Sequence, residues 1–344
     1  MSSNAKKRWD IITGPYQISI DVTNKCNLRC LHCYNYSGEN ICIQNELSDE
    51  EILNLITDLC DMKPYNVCIC GGEPLLRKEL VIDIVKMLSN NNIKCSMVSN
   101  GILLDDDTAF KLKKAGIFKV QISLDGLEES HDRLRGVSGV FEKAIKALEA
   151  LKKQKIGSGI AFSPTPWNIN DFNNVVDLAL KLDVEEVRIQ ALMPIGRGSL
   201  NSNELIPSNE QYRLLMKYIN ESKKRVKKLG SNLNIQWGDP IDHLIRFPEQ
   251  IESTPTIAIR ANGNIAPSVY LPISVGNIKS KSFKQYWNSG LARVWQISKV
   301  REVANNYRSV MEMNIKDKDL PTTFLDEDIY LDIMDKDFDQ YIKE

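Results

Sequence analysis

The sequence predicts an α/β fold, a partial (β/α)6 TIM-like barrel with a C-terminal extension. Three observations carry this. Six apolar, strand-like runs alternate with amphipathic helical stretches before residue 200. The alternation stops after Gly196, where a long helix and a hairpin signal follow. Glycine-, cysteine- and acid-bearing loops follow the ends of several strand-like runs. Such alternation means parallel strands with helical crossovers. Six units are too few for an eight-fold barrel, so the barrel is open, with ligands at the strand C-terminal ends.

Residues 17–23 read as the first strand, and a cysteine-bearing loop leaves its C-terminal end. Ser48 caps a helix with Asp49, Glu50 and Glu51 in its first turn, running to about residue 61. Strands follow at 67–70, 93–98, 118–124, 156–162 and 186–192. Helices lie between them at 76–90, 105–115 (closed by Gly116), 140–153 and 170–182. Beyond residue 200, the run 208–229 is one long helix, and residues 282–300 form two short helices broken at Ser289-Gly290. Asn262-Gly263 between two apolar stretches signals a β-hairpin. The division expected is a barrel over residues 1–200 and an extension over 201–344, with hairpin, helices and acidic tail.

Composition narrows the function. The chain has 344 residues and a net charge of −1, so no global field attracts nucleic acid or a membrane surface. Residues 326–344 hold eight acids and two bases, a solvated terminus or a docking strip. The basic run at 223–228 reads as a solvated helix face. The first ten residues are polar and charged rather than a secretory signal, and no apolar run is long enough to span a bilayer. The expected location is the cytoplasm, where thiols stay reduced.

All eight cysteines lie within the first 95 residues. A disulfide framework would spread through the fold. Cys26, Cys30 and Cys33 instead share one short loop, at spacings of three and two residues. Soft thiolates suit zinc or an iron–sulfur cluster. Zinc wants a fourth ligand, from His32 or Cys42. A three-thiolate cluster leaves one iron open. Cys60 and Cys95 read as apolar filler.

The segment Cys26-Asn-Leu-Arg-Cys30-Leu-His-Cys33-Tyr34 resembles the CxxxCxΦC motif of the radical SAM superfamily, with His32 in the aromatic slot. Gly71-Gly72-Glu73-Pro74, Ser99-Asn100-Gly101, Ser123-Leu-Asp125-Gly126, the run from His131 to Gly136 and the run from Met193 to Gly198 are similar to that family in the same order. The resemblance covers about residues 15–290, and the branch most like this chain carries a SPASM or twitch extension.

The resemblance implies one [4Fe-4S] cluster on Cys26, Cys30 and Cys33, with S-adenosylmethionine on its open iron. It implies reductive cleavage to a 5′-deoxyadenosyl radical that abstracts hydrogen from a substrate. Gly71, Gly72, Glu73 and Pro74 would meet the methionine end, with Glu73 accepting from its ammonium. Arg135 would pair with the methionine carboxylate, helped by Ser123. Asn100 and Asp125 serve the ribose or turn geometry, and Gln190 and Leu192 the ribose and adenine. His32 lies near the adenine edge or steadies the loop, and Tyr34 joins the cofactor-binding set.

The chain departs from SPASM members at one hairpin. Gly263-Asn-Ile-Ala-Pro267 ends in Ser268 where a cysteine usually stands, so no auxiliary cluster is expected. Redox-neutral outcomes then gain over oxidations. Epimerisation needs a thiol to return hydrogen; Cys70, beside Gly71, is one candidate and Cys42 another, although Cys70 also reads as a packed strand residue.

The substrate expected is a ribosomally made precursor peptide, modified by epimerisation, crosslinking or another change. No N-terminal peptide-binding domain is apparent, so a separate leader-binding protein is a possible partner. The electron donor would be a flavodoxin or ferredoxin. A small metabolite (sugar, nucleotide or tetrapyrrole) and a non-catalytic iron–sulfur or zinc regulator are the rival readings.

Overall fold

The computed structural model describes residues 12–39, 41, 43–314 and 320–343. Cys42 lies outside the described residues. The alternation expected from sequence is present: β1 (Gln17–Asp21), α1 (Asp49–Met62), β2 (Asn66–Cys70), α2 (Lys78–Asn90), β3 (Lys94–Ser99), α3 (Asp106–Ala115), β4 (Lys119–Ser123), α4 (Glu128–Arg135), α5 (Val140–Lys153), β5 (Gly157–Phe162), α6 (Phe172–Lys181) and β6 (Glu186–Gln190). Local chemistry sets several boundaries. Ser48 and Glu51 close a reciprocal capping box on α1, and Asp105 caps α3 by accepting from the Thr108 amide.

The chain continues through α7 (Arg197–Leu200), α8 (Ser202–Leu205), α9 (Asn209–Lys228), β7 (Asn234–Gly238), α10 (Asp242–Gln250), β8 (Thr256–Ile259), β9 (Ile265–Ala266), α11 (Phe283–Asn288) and α12 (Ser298–Asn305). Residues 282–300 thus hold a 3-10 turn (Leu291–Gln296) between two helices, where the sequence predicted two helices alone.

The main sheet has the order β7-β6-β5-β4-β3-β2-β1-β8-β9. Every pairing from β7 to β8 is parallel, and only β8 with β9 is antiparallel. The six predicted strands lie in sequence order, and the sheet then grows at both edges. β7 adds beside β6. β8, expected only as half of a hairpin, also pairs with β1 across most of the chain, a non-local partner no local pattern reveals.

Burial alternates along the strands. Ile18, Ile20, Val67, Ile69, Cys95, Met97, Val120, Ile122, Val187 and Ile189 face the buried side. The alternate positions are polar or small: Gln17, Ser19 and Asp21 on β1; Asn66, Cys68 and Cys70 on β2; Gln121 and Ser123 on β4; Gly157, Gly159 and Ala161 on β5; Glu186, Arg188 and Gln190 on β6. Fully packed barrels fill this inner face with large branched side chains. Here it is a polar lumen, bridged by Asn66 to Ser96 (3.0 Å) and by Lys119 to Glu186 (2.7 Å) across side-chain-free Gly159.

Candidate active site

The loop leaving β1 carries Cys26, Cys30 and Cys33 and is held from three sides. The first is the glycine turn after β2. The Gly72 amide donates to the Thr23 carbonyl (2.8 Å) and the Glu73 amide to the Lys25 carbonyl (2.9 Å). A Cβ on Gly71 would sit 2.3 Å from the Thr23 oxygen, and one on Gly72 2.1 Å from the Lys25 oxygen. Gly71 also holds φ +135°. The sequence explained these glycines by close approach of a ligand. The structure supplies another reason: the cysteine loop's own backbone occupies that space.

Glu73 is fully buried, and burial raises its carboxyl pKa. Its oxygens accept from the Leu75 amide (3.1 Å), the Ser99 hydroxyl (2.9 Å) and the Asn100 amide (2.9 Å). Pro74 opens the adjoining 3-10 turn. Glu73 therefore ties the β2 loop to the β3 loop and keeps about one lone-pair direction for a further donor. Asn100 completes that tie, donating to Asn27 Oδ1 (2.8 Å) and accepting from the Ile102 amide (3.0 Å).

The second support lies behind Cys30. Arg135, at the end of α4, pairs with Asp125 Oδ2 and reaches Cys30 Sγ at 3.6 Å. Asp125 also accepts from the Ser163 amide (2.8 Å), and His32 Nε2 lies 3.7 Å from its Oδ2. Burial pushes the Asp125 carboxyl up, but Arg135, His32 and His131 outweigh it and hold it below the usual carboxylate range. Burial lowers both His32 and His131 to about 4, so both imidazoles are neutral at pH 7. Ser123 is half-buried at the end of β4.

The third support is the segment after β6. Arg197 is buried and donates to the carbonyls of Cys30 (3.1 Å) and Ser37 (2.9 Å), and its amide donates to the Cys33 carbonyl (2.9 Å). Gly196 holds φ +53°, and a Cβ there would lie 2.1 Å from the Tyr34 carbonyl. Asn201 adds a bond to the Leu31 carbonyl (3.1 Å). The sequence singled out this segment but gave Arg197 no role. Leu192 is buried with Leu134 and Leu205 against Leu31, and Gln190 donates to the Tyr270 hydroxyl (2.6 Å). Tyr34 turns edge-on to Tyr270 and Phe324, both from the C-terminal third.

The donor set fits a thiolate-held cluster. Each sulfur has a donor: the Leu28 amide to Cys26 (3.4 Å), Arg135 to Cys30 (3.6 Å) and the Ser37 amide to Cys33 (3.4 Å). Burial pushes the Cys30 thiol up to about 11 and raises Cys26; such thiols lose their protons when a metal binds. Eight buried side-chain polar atoms lack a partner among the described residues. Five of them (Asn24 Oδ1, His32 Nδ1, both Asn35 side-chain atoms and Arg135 Nε) belong to this loop or its guanidinium. Buried orphans are costly, and their concentration fits a site meant for a polar group. Among the described residues, no three His, Cys, Asp or Glu side chains converge as for a single metal ion.

Two residues went unremarked in the sequence. Asp21 is buried at the end of β1, in register with Cys70. Burial, opposed by Arg260 and reinforced by Glu46, raises its carboxyl to about 7. Arg188 stands exposed on the inner face of β6, with no ion pair among the described residues. The signal for both was polar side chains at alternate positions of parallel strands, which normally read as near-continuous apolar runs.

Comparison with known proteins gives the following. Residues 20–179 match the family model described as the Radical SAM superfamily. Fe-coproporphyrin III synthase of Methanosarcina barkeri is 32% identical over 210 residues, covering 61% of this chain and 52% of that protein. The chain thus spans about half the length of that relative. AdoMet-dependent heme synthase of the same organism is 25% identical, covering 80% of this chain and 83% of that protein. Sporulation killing factor maturation protein SkfB of Bacillus subtilis is 24% identical, covering 89% and 72%. The crystal structure of Streptococcus suis SuiB bound to precursor peptide SuiA aligns with TM-score 0.67 at 17% identity, over 92% of this chain and 76% of that one. At that identity the likeness is one of fold. No described helix is long and apolar enough to cross a membrane.

Proposed function

With residues 20–179 a radical SAM superfamily domain, we propose that this chain is a radical S-adenosylmethionine enzyme acting on a ribosomally made peptide. The observation that carries the chemistry is the cysteine loop, with a donor to each of its three sulfurs and five orphaned polar atoms around it. The family implies a [4Fe-4S] cluster and S-adenosylmethionine; when bound, the pair supplies the 5′-deoxyadenosyl radical. Cys26, Cys30 and Cys33 would hold the cluster.

The remaining roles belong to the chain's own side chains. Arg135 holds positive charge against the Cys30 sulfur, anchored by Asp125. Glu73 and Asn100 fix the two strand-end loops that border the cysteine loop. His32 offers a neutral ring whose Nδ1 has no partner among the described residues. Gly71, Gly72, Pro74, Ser123, Gln190, Leu192 and Tyr34 complete the proposed S-adenosylmethionine site, and Cys70 is the proposed hydrogen donor. Residues 1–200 and 201–344 are read as barrel and extension, the latter lengthening the sheet at both edges.

SkfB, named for maturation of a sporulation killing factor, and SuiB, solved bound to a precursor peptide, align over about nine-tenths of the chain, which supports a peptide. A second reading, a tetrapyrrole, has its own support: the two heme-pathway relatives and Arg188, a lumenal cation with no ion pair among the described residues, suited to a carboxylate. Anaerobic incubation with reductant and S-adenosylmethionine separates the readings. Mass change in a precursor peptide encoded beside this chain's gene supports the first. Consumption of a carboxylated tetrapyrrole with the peptide unchanged overturns it.

A further inference from the structure

Cys68 and Cys70 occupy alternate positions of β2, so both point to the lumen face and neither to the helices behind the sheet. Their sulfurs are 3.5 Å apart. Both residues are half-buried rather than packed away like Cys95, which faces the opposite side of the sheet. Asp21 lies beside Cys70 in the register of β1 and β2, and Ser96 beside Cys68 in that of β2 and β3. Cys68 and Cys70 are themselves partly exposed on this face, and on the same face of β6 and β7 Arg188 and Gln236 are exposed. Cys70 is also followed directly by the glycine turn that clasps the cluster loop, which puts the pair at the end of the strand nearest the candidate active site.

The geometry points to a lumenal dithiol acting as one unit: Cys70 gives a hydrogen atom to a carbon radical in the lumen, and Cys68 positions Cys70 and captures its sulfur afterwards. This deepens the reading of the chain as a radical enzyme and rests on it. The mutual hydrogen bond lowers the Cys68 thiol and raises Cys70, so Cys70 keeps its proton and Cys68 is the more readily ionised partner. A thiol in its protonated form is what hydrogen-atom transfer requires. In the step, the Cys70 S–H bond breaks and a C–H bond forms on the substrate. The Cys70 sulfur radical then bonds the Cys68 sulfur, whose thiol proton passes to solvent. Closing that S–S bond releases one electron, which passes to a one-electron carrier of the ferredoxin or flavodoxin class. A dithiol reductant restores the pair. Residues two apart on a strand have Cα atoms about 6.6 Å apart, at the upper end of the disulfide range, so the bridge is strained and easily reduced.

Two measurements on the reconstituted full chain test this. In the first, phenylarsine oxide is added before iodoacetamide, and labelled cysteines are mapped by mass spectrometry. The pair acting as a chelating dithiol loses label at Cys68 and Cys70 together, and Cys68→Ser restores labelling of Cys70. Labelling of either residue unaffected by the arsenical contradicts the dithiol. In the second, S-adenosylmethionine is cleaved in D2O without substrate. Because S–H exchanges with solvent, 5′-deoxyadenosine from the unaltered chain carries deuterium; Cys70→Ala lowers that enrichment about ten-fold, and Cys68→Ser lowers it less. Unchanged enrichment in Cys70→Ala overturns the donor role. Absence of 5′-deoxyadenosine from every chain overturns the radical-enzyme reading itself, while the arsenical result still decides the dithiol.

Discussion

The two sides of the lumen are built differently. On the β1–β4 side, side chains are knitted into one another: Glu73 takes three donors, Arg135 joins Asp125 to Cys30, and two glycines admit the cysteine loop's backbone. On the β5–β7 side, Gly157, Gly159 and Ala161 bring little or no side chain, the Lys119–Glu186 pair crosses Gly159, and Arg188, Asn234 and Gln236 are exposed. Fixed geometry is costly in conformational entropy and is worth that cost where a reactive group must not move. An open, wettable wall suits a changeable ligand. On the proposed reading, the chemistry belongs to the first side and the choice of substrate to the second.

Substitutions break or sharpen this contrast. The largest effect belongs to Cys30→Ala, which removes a proposed ligand and the partner of Arg135. Iron content after reconstitution falls from roughly four per chain to near zero, and 5′-deoxyadenosine formation drops below detection. Gly72→Ala comes next. Its Cβ would lie 2.1 Å from a backbone oxygen that cannot swing away, so thermal unfolding should show a loss of about 2–4 kcal/mol. A stable Gly72→Ala protein would mean the loop is not clasped as described.

Asp21→Asn tests the edge of the knitted side through pH. The folded carboxyl titrates near 7, against roughly 3.9 in an unfolded chain. Between those values the unfolded state has lost a proton that the folded state keeps, so stability falls as pH rises and levels off above about 7. Asparagine removes that penalty. The variant's advantage in unfolding free energy should grow from pH 4 to pH 7, reaching roughly 4 kcal/mol, and stay flat beyond. A constant difference across that window would contradict the raised carboxyl. Arg188→Gln has the smallest structural effect, with stability within about 0.5 kcal/mol of the unaltered chain. If the open wall selects substrate, it raises the KM for a carboxylated substrate about ten-fold while leaving iron content and substrate-free S-adenosylmethionine cleavage unchanged.

Much of the fold was legible because its signals are local. The Ser48–Glu51 box, the Asp105 cap and the alternation of strand and helix all lie within a few residues of what they determine. Among what escaped, two elements and one pairing have clear physical reasons. α4 is largely polar and is held by buried charge pairs and hydrogen bonds rather than an apolar stripe, so its helical period was faint. β7 offers only Ile235 and Trp237 as apolar positions. β8 looked like half of a hairpin because its other partner, β1, lies at the far end of the chain. At the site, the three cysteines, Gly71, Gly72, Glu73, Asn100, Asp125 and Arg135 were legible as motifs, and the structure brings them around one loop. Asp21 and Arg188 were not, since a lone polar residue on a strand carries no address until its neighbours across the sheet are known; Arg197 lay inside a motif run, but its bonds to the Cys30 and Ser37 carbonyls are long-range and no local pattern gives them.

The central claim is that one loop, through Cys26, Cys30 and Cys33, holds one cluster for radical chemistry. Anaerobic reconstitution of the full chain, followed by iron analysis and chromatography of the nucleosides formed with dithionite and S-adenosylmethionine, tests it most directly. The account predicts roughly four irons per chain and 5′-deoxyadenosine that disappears in Cys26→Ala. Bound zinc with no 5′-deoxyadenosine, or about eight irons per chain with cleavage surviving in Cys26→Ala, would contradict it.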